Sequence, residues 1–171
     1  MTLVWREEAL ARSHDRKAFD CGEPALNDYL ARYARKNHEA GGAKTFVAVS
    51  SEYPNRVLGY YSVCPASVDY ERTPEIIRRG LGHYEVPVFR MGRLAVDRTL
   101  RGQGLGGQLL MACGRRCLAV SIQVGGVGLL IDAKNERGAR WYTSYGALTI
   151  PDAPLTLLLP FSTIEMYLPG E

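Results

Sequence analysis

The chain has 171 residues, 46% of them hydrophobic and 23% charged, which suffices for one buried core without a metal or disulfide staple. Its formal charge of +3, from 21 basic and 18 acidic residues, permits an anionic ligand without demanding one. The longest uncharged run, 117–131, is broken by Gly125-Gly126 and falls short of the ~20 residues of a membrane helix, and the opening MTLVWREEAL meets charge at Arg6, Glu7 and Glu8 before any signal-like apolar region forms, so neither a span nor a leader is expected.

Leu26, Tyr29, Leu30, Tyr33 and Ala34 recur at helical spacing with Arg32, Arg35 and Lys36 off that face, and Gly41-Gly42 closes the helix. Residues 45–49 and 57–63 read as a hairpin around the turn signal Pro54-Asn55. Thr73-Pro74-Glu75 reads as a helix start, with Thr73 as cap and Pro74 at the first helical position, and the short helix ends near Gly80. A long strand is predicted over Val86–Val96, where Gly92 signals a bulge or a close backbone approach. A helix over 104–120 carries an apolar stripe at Leu105, Leu109, Cys113, Cys117 and Val120, with Arg115 opposite. Gly128–Asp132 follows as a buried strand, 136–145 as a helix ended by Gly146, and Leu148–Ile150 and 163–168 as the last strands. This order predicts an α/β (α+β) fold, a mixed sheet with one central βαβ unit, in a single domain over 1–171. Cys21, Cys64, Cys113 and Cys117 form no CxxC pair and lack histidines at zinc-finger spacing, so no metal is expected, and four reduced thiols favour the cytoplasm.

The chemistry concentrates where the long strand runs into Arg101, Gly102, Gln103, Gly104, Leu105, Gly106 and Gly107. Glycines let a backbone approach a ligand and aim successive amides at it, and the helix that follows adds partial positive charge. Arg101 brings a full charge to the same place, and together these groups suit a pyrophosphate. Arg101, Gly104 and Gly106 resemble the (Arg/Gln)-x-x-Gly-x-(Gly/Ala) cofactor motif of the GNAT acetyltransferases. Gly102, Gly104 and Gly107 also spell the dinucleotide pattern GxGxxG, with Asp132 as a ribose-binding acid. Five residues, 97–101, separate the predicted strand from this pattern, and only 39 follow Asp132, too few for a second βαβ half. A glycine-rich turn without a ligand is the third reading.

Transfer of an acetyl group from a thioester to an amine needs a neutral amine, a polarised carbonyl and a proton for the departing thiolate. The resemblance implies that a bulged strand before the loop, here Leu94, Ala95 and Val96, holds the carbonyl and the pantetheine arm with free amides. Residues 135–146 look like the family's Asn…(Phe/Trp)-Tyr-x-x-x-Gly segment, which implies that Asn135 contacts the CoA arm and Tyr142 donates the proton, with Tyr145 as the fallback. Ala147 departs from the aromatic residue that often follows that glycine. No general base is evident among His14, His38, His83, Glu85 and Asp97, which favours an α-amine (pKa about 7.7–8.0) over a lysine (about 10.4).

Phe19-Asp20-Cys21-Gly22, with Leu26, Tyr29 and Leu30, resembles the F-x-C-G-x-x-x-L-x-x-(Phe/Tyr)-L motif of the GNAT toxins of bacterial toxin–antitoxin pairs, and the ending from Glu165 through Pro169 is similar to theirs. The resemblance implies an aminoacyl-tRNA substrate, a ribbon-helix-helix antitoxin as partner, acetyl-CoA as cosubstrate and, in many relatives, a homodimer. From the residues alone, tRNA rests on Arg72, Arg78, Arg79, Arg90, Arg93 and Arg98, most of which also read as solvated surface residues, and alternating side chains on the Val86–Val96 strand cannot all face one groove. A GNAT enzyme acting on a small-molecule amine or a protein amine is the alternative.

Overall fold

The computed structural model describes residues 3–168, so Pro169 of the toxin-like ending lies outside the described residues. The strands are β1 (Arg6–Ala9), β2 (Lys44–Val49), β3 (Gly59–Val68), β4 (Val86–Val96), β5 (Gly128–Asp132), β6 (Leu148–Ile150) and β7 (Ala153–Pro160). They form a seven-stranded sheet in the order β1-β2-β3-β4-β5-β7-β6. β4 and β5 pair in parallel, as the predicted βαβ unit requires, while β1–β2, β2–β3, β5–β7 and β6–β7 pair antiparallel. The helices are α1 (Pro24–Asp28), α2 (Ala34–Ala40), α3 (Glu75–Arg78), α4 (Leu105–Val124), α5 (Glu136–Ser144) and α6 (Phe161–Tyr167). Two compact units share these elements: residues up to 64 with 93–110, and 65–92 with 111 onward.

In the first unit, Phe19, Leu30, Ala34, Val47, Val49, Tyr60 and Ala95 form one apolar cluster. The predicted N-terminal helix is present but interrupted, because Tyr29–Tyr33 between α1 and α2 is a π-helical turn. Such a turn widens the backbone and frees a carbonyl, and Arg16 Nη1 donates to Ala31 O at 3.0 Å within it. Gly41 ends α2 at φ +80°. The hairpin of β2 and β3 has the expected antiparallel pairing, with Phe46 opposite Tyr61. β3 continues five residues past the predicted end at Val63. β1 was not expected, since Arg6, Glu7 and Glu8 lack an apolar face, and it owes its place to pairing with β2.

In the second unit, Val68, Val86, Val88, Leu130, Ile150 and Leu158 form a second cluster. The strand predicted over 163–168 is instead the helix α6, whose Phe161 and Ile164 are buried at three-residue spacing. The last sheet strand is β7, where Leu157, Leu158 and Leu159 are all buried. Thr73 does not cap α3: its hydroxyl donates to Asp69 O at 2.9 Å and closes the preceding 3-10 turn, while Pro74 takes the N-cap. Cys113 and Cys117 lie buried one turn apart on α4, and none of the four cysteines is in a disulfide. Val120 is 42% exposed although it lies on the same helical face as the buried stripe. Ile122 and Val124 beside it are exposed too, so the last turn of α4 runs past its packing partners. No helix among the described residues is long and apolar enough to cross a membrane.

Candidate active site

The glycine loop belongs to the first unit. Past Val96 the chain enters a 3-10 turn, Arg98–Leu100, capped by Asp97, whose Oδ1 accepts from Thr99 N at 3.0 Å and Thr99 Oγ1 at 2.7 Å. Gly102 and Gly104 then take φ of +80° and +81°, a region that strains any L side chain. Both are exposed, and no heavy atom lies within 4 Å of where a Cβ on Gly102 would sit. Leu105 and Leu109, on the next two turns of α4, are buried, and a Cβ on Gly59 would meet Leu109 Cδ1 at 2.8 Å and Ala95 O at 2.9 Å. The helix start is therefore packed tightly onto the sheet while the glycines before it stay open. The first amides of a 20-residue helix have no intrahelical acceptors. An open glycine turn leading into them fits the diphosphate of CoA.

Arg101 brings its charge to the loop and also makes a hydrogen bond outside it. Its Nη2 donates to Cys21 O at 2.9 Å, and a Cβ on Gly22 would lie 2.5 Å from that nitrogen. Asp20 sits beside it, its carboxyl held below the usual range by the Gly22 amide and the Asn27 side chain, with help from Arg98 and Arg101. Sequence reading did not single out Asp20, Asn27 or the capping role of Asp97. The signal for the first two lay in the F-x-C-G motif, which contains or adjoins them.

The six arginines divide by what they touch. Arg90 pairs with Asp132 at 2.9 Å, which occupies the carboxylate that a dinucleotide reading would assign to ribose. Arg98 pairs with Asp20 at 3.2 Å. Arg78 donates to Tyr70 O at 3.1 Å and lies 4.9 Å from the centre of that ring. Arg72 and Arg79 are exposed, Arg72 on the wall of a cavity of about 200 Å³ shared with Ser67, Asp69, Glu85 and Arg90. Arg93, half-buried, lies 3.5 Å from the ring centroid of Tyr29, the first residue of the π turn.

Asn135 and Tyr142 belong to the second unit, on α5. Asn135 is the N-cap, its Oδ1 accepting from Gly138 N at 2.8 Å. That leaves its amide NH2 as the group able to meet a ligand. Tyr142 is 9% exposed, and burial, aided by Cys113, pushes its pKa well above the ordinary value, so the phenol stays protonated. Trp141 packs edge-on against it at 4.9 Å. Tyr145, half-buried, sits 5.1 Å from Trp141 and 5.9 Å from Tyr167 in an aromatic cluster, a packing role. The groups considered as general bases have other tasks. His14 accepts from Ala11 N at 3.0 Å and meets Glu8 at 2.8 Å. His38 accepts from Thr45 N at 2.9 Å, His83 stacks on Tyr70, and Glu85 accepts from Ser67.

Residues 41–146 match the family model for the acetyltransferase (GNAT) domain, a span of more than half the chain. The chain belongs to the GNAT acetyltransferase family. It is 34% identical over 150 residues to the tRNA-acetylating toxin of Mycobacterium tuberculosis, covering 88% of each chain. It is 30% identical over 160 residues to the probable toxin TacT of Sinorhizobium fredii, covering 89% of this chain and 88% of the relative. Among solved structures, AtaT complexed with acetyl-methionyl-tRNAfMet matches with a TM-score of 0.88 and 28% identity, over 96% of this chain and 99% of that one. AtaTR bound with acetyl-CoA matches with a TM-score of 0.82 and 28% identity, over 95% of this chain and 97% of that one. As a GNAT enzyme the chain is an N-acetyltransferase that uses acetyl-CoA, and the dinucleotide reading of Gly102, Gly104 and Gly107 is set aside.

Proposed function

We propose that this chain is a toxin that acetylates the α-amino group of aminoacyl-tRNA and thereby blocks translation. The observation that carries the proposal is its likeness, over nearly its full length, to AtaT complexed with acetyl-methionyl-tRNAfMet. Bound acetyl-CoA would supply the acetyl thioester. Backbone amides of Gly102, Gln103, Gly104, Leu105, Gly106 and Gly107 would hold the diphosphate, and those of Leu94, Ala95 and Val96 the carbonyl and the pantetheine arm. The Asn135 NH2 would also meet the arm. A neutral amine nitrogen would form the new N–C bond as the C–S bond breaks, the thiolate would take the Tyr142 proton, the proton shed by the acylated nitrogen would restore the phenol through solvent, and the ammonium proton would have left to solvent beforehand. An aminoacyl ester amine has a pKa low enough to lose that proton near neutrality without a dedicated base.

The exposed Arg72 and Arg79 and the stacked Arg93 are the cations best placed to meet tRNA phosphates, since Arg78, Arg90 and Arg98 have partners of their own. A separately encoded ribbon-helix-helix antitoxin is the proposed partner and the cytoplasm the proposed compartment, with a homodimer compatible with both. Expression is expected to arrest growth, and Tyr142→Phe is expected to relieve the arrest. Full toxicity in that variant contradicts the assigned mechanism.

A further inference from the structure

A set of hydrogen bonds within the first unit ties the segment around Cys21 to the glycine loop. Asn27 on α1 accepts from Cys21 N at 2.9 Å through Oδ1 and donates to Asp20 Oδ1 at 3.0 Å through Nδ2. The same Asp20 oxygen accepts from Gly22 N at 2.9 Å. From the loop side, Arg98 N donates to Asp20 O at 2.9 Å, and Arg98 Nε faces Asp20 Oδ2 at 3.2 Å. Asp20 N donates to Asp97 Oδ2 at 3.3 Å, and Arg101 Nη2 donates to Cys21 O at 2.9 Å. Residues 20–22 are thus held by α1 on one side and by Asp97, Arg98 and Arg101 on the other. Gly22 is favoured by its φ of +87°, and a Cβ there would lie 2.5 Å from Arg101 Nη2 and push that guanidinium away from its present position.

We infer that residues 20–22 are a positioning element for acetyl-CoA, and that Arg101 acts through the Cys21 carbonyl instead of as a phosphate ligand. The inference rests on the reading of 101–107 as the acyl-CoA loop. A turn with two left-handed glycines is intrinsically mobile, and ordering it on binding weakens affinity. The Arg101 tether fixes the residue immediately before Gly102, and the Asp20 network fixes the 3-10 turn before that. The anion is then met by backbone amides and the start of α4, while Asp20 offsets the two loop arginines, Arg98 and Arg101. The F-x-C-G motif thereby serves the cofactor, although it lies about 80 residues from the loop in sequence.

The test uses the full chain and measures acetyl-CoA Kd and steady-state kinetics for Gly22→Ala, Arg101→Lys, Arg101→Gln and Asn27→Ala. A lysine keeps the charge but not the fork that reaches the carbonyl. Gly22→Ala and Arg101→Lys are each expected to raise Kd and KM for acetyl-CoA about tenfold, the scale of one charge-assisted hydrogen bond. The KM for the acceptor and kcat at saturation should not move, which separates positioning from loss of folded protein. The double variant Gly22→Ala/Arg101→Lys should be no weaker than the weaker-binding single. Asn27→Ala, which leaves both Gly22 and the loop intact, should shift KM in the same direction, and it carries the test if Gly22→Ala fails to fold. The salt dependence of acetyl-CoA binding should be unchanged in Arg101→Gln. Wild-type affinity in Gly22→Ala or Asn27→Ala overturns the inference. So does an Arg101→Lys variant that binds normally while Arg101→Gln binds weakly with a flattened salt response, since that pattern marks a direct charge contact. A wild-type chain that binds no acetyl-CoA overturns the loop reading, and this inference with it.

Discussion

The Arg93 guanidinium carbon lies 3.5 Å from the centre of the Tyr29 ring, on the residue that opens the π-helical turn. Tyr29 is itself anchored, its hydroxyl accepting from Asn37 Nδ2 at 3.2 Å. Stacking fixes the face of a guanidinium and leaves its in-plane N–H groups for an oxyanion. Arg93→Gln is therefore expected to raise KM for aminoacyl-tRNA about tenfold and to reduce the salt slope of binding by about 1. Tyr29→Leu should give a smaller rise with the salt slope retained. Kinetics at a series of salt concentrations check both, and an unchanged slope in Arg93→Gln removes Arg93 from the tRNA site.

Tyr142→Phe removes only the hydroxyl of a buried ring, so packing against Trp141 survives. A decrease in kcat of about 10²–10⁴ is expected, with KM for acetyl-CoA unchanged. Because burial holds the phenol above its ordinary pKa, no falling limb from Tyr142 is expected in the pH–rate profile up to about pH 10. The rising limb should track the substrate amine at about 7.7–8.0.

Asn135 carries two roles that substitutions separate. Asn135→Ala loses the cap on Gly138 N and is expected to cost about 1 kcal/mol. In a chain of this size that lowers Tm by about 2–4 °C. Asn135→Asp keeps an excellent cap but loses the amide donor, so it should hold Tm while raising KM for acetyl-CoA. Thermal unfolding and kinetics on the two variants make the comparison.

His38 is held below its ordinary pKa by burial and by Lys44, with Glu39 opposing, and its Nδ1 accepts from Thr45 N. Protonation would convert that acceptor into a donor. A histidine with a depressed folded-state pKa contributes stability that is complete above the unfolded value of about 6.5 and is lost as pH falls through the folded value. Tm is expected to decline below about pH 6.5, and His38→Gln should flatten that part of the profile.

Much of the sheet was legible in the chain. Val86–Val96, Gly128–Asp132 and Leu148–Ile150 have their predicted bounds because each is a mainly apolar run closed by a turn residue or a charge. β1 was not, since a charged edge strand is specified by its partner and not by its own pattern. β7 and α6 were misread at their junction, where the leucine run closes at Pro160 and the spacing of Phe161 and Ile164 then changes from sheet to helix. The π turn adds one residue to the helix, but Tyr29, Leu30 and Ala34 stay buried at helical spacing through it, so the insertion was not legible. The residue types of the site were readable, but the direction of a long side chain was not. Arg101 stands at the start of the loop, and its guanidinium turns onto the Cys21 carbonyl.

Acetylation of aminoacyl-tRNA is measured most directly by transfer of labelled acetyl from acetyl-CoA to a pool of charged tRNAs, followed by identification of the modified species. Label is expected on the α-amino group of one or a few aminoacyl-tRNAs, none on uncharged tRNA, with loss of transfer in Tyr142→Phe. Label confined to free amines or protein lysines, with none on charged tRNA, would contradict a tRNA-acetylating toxin.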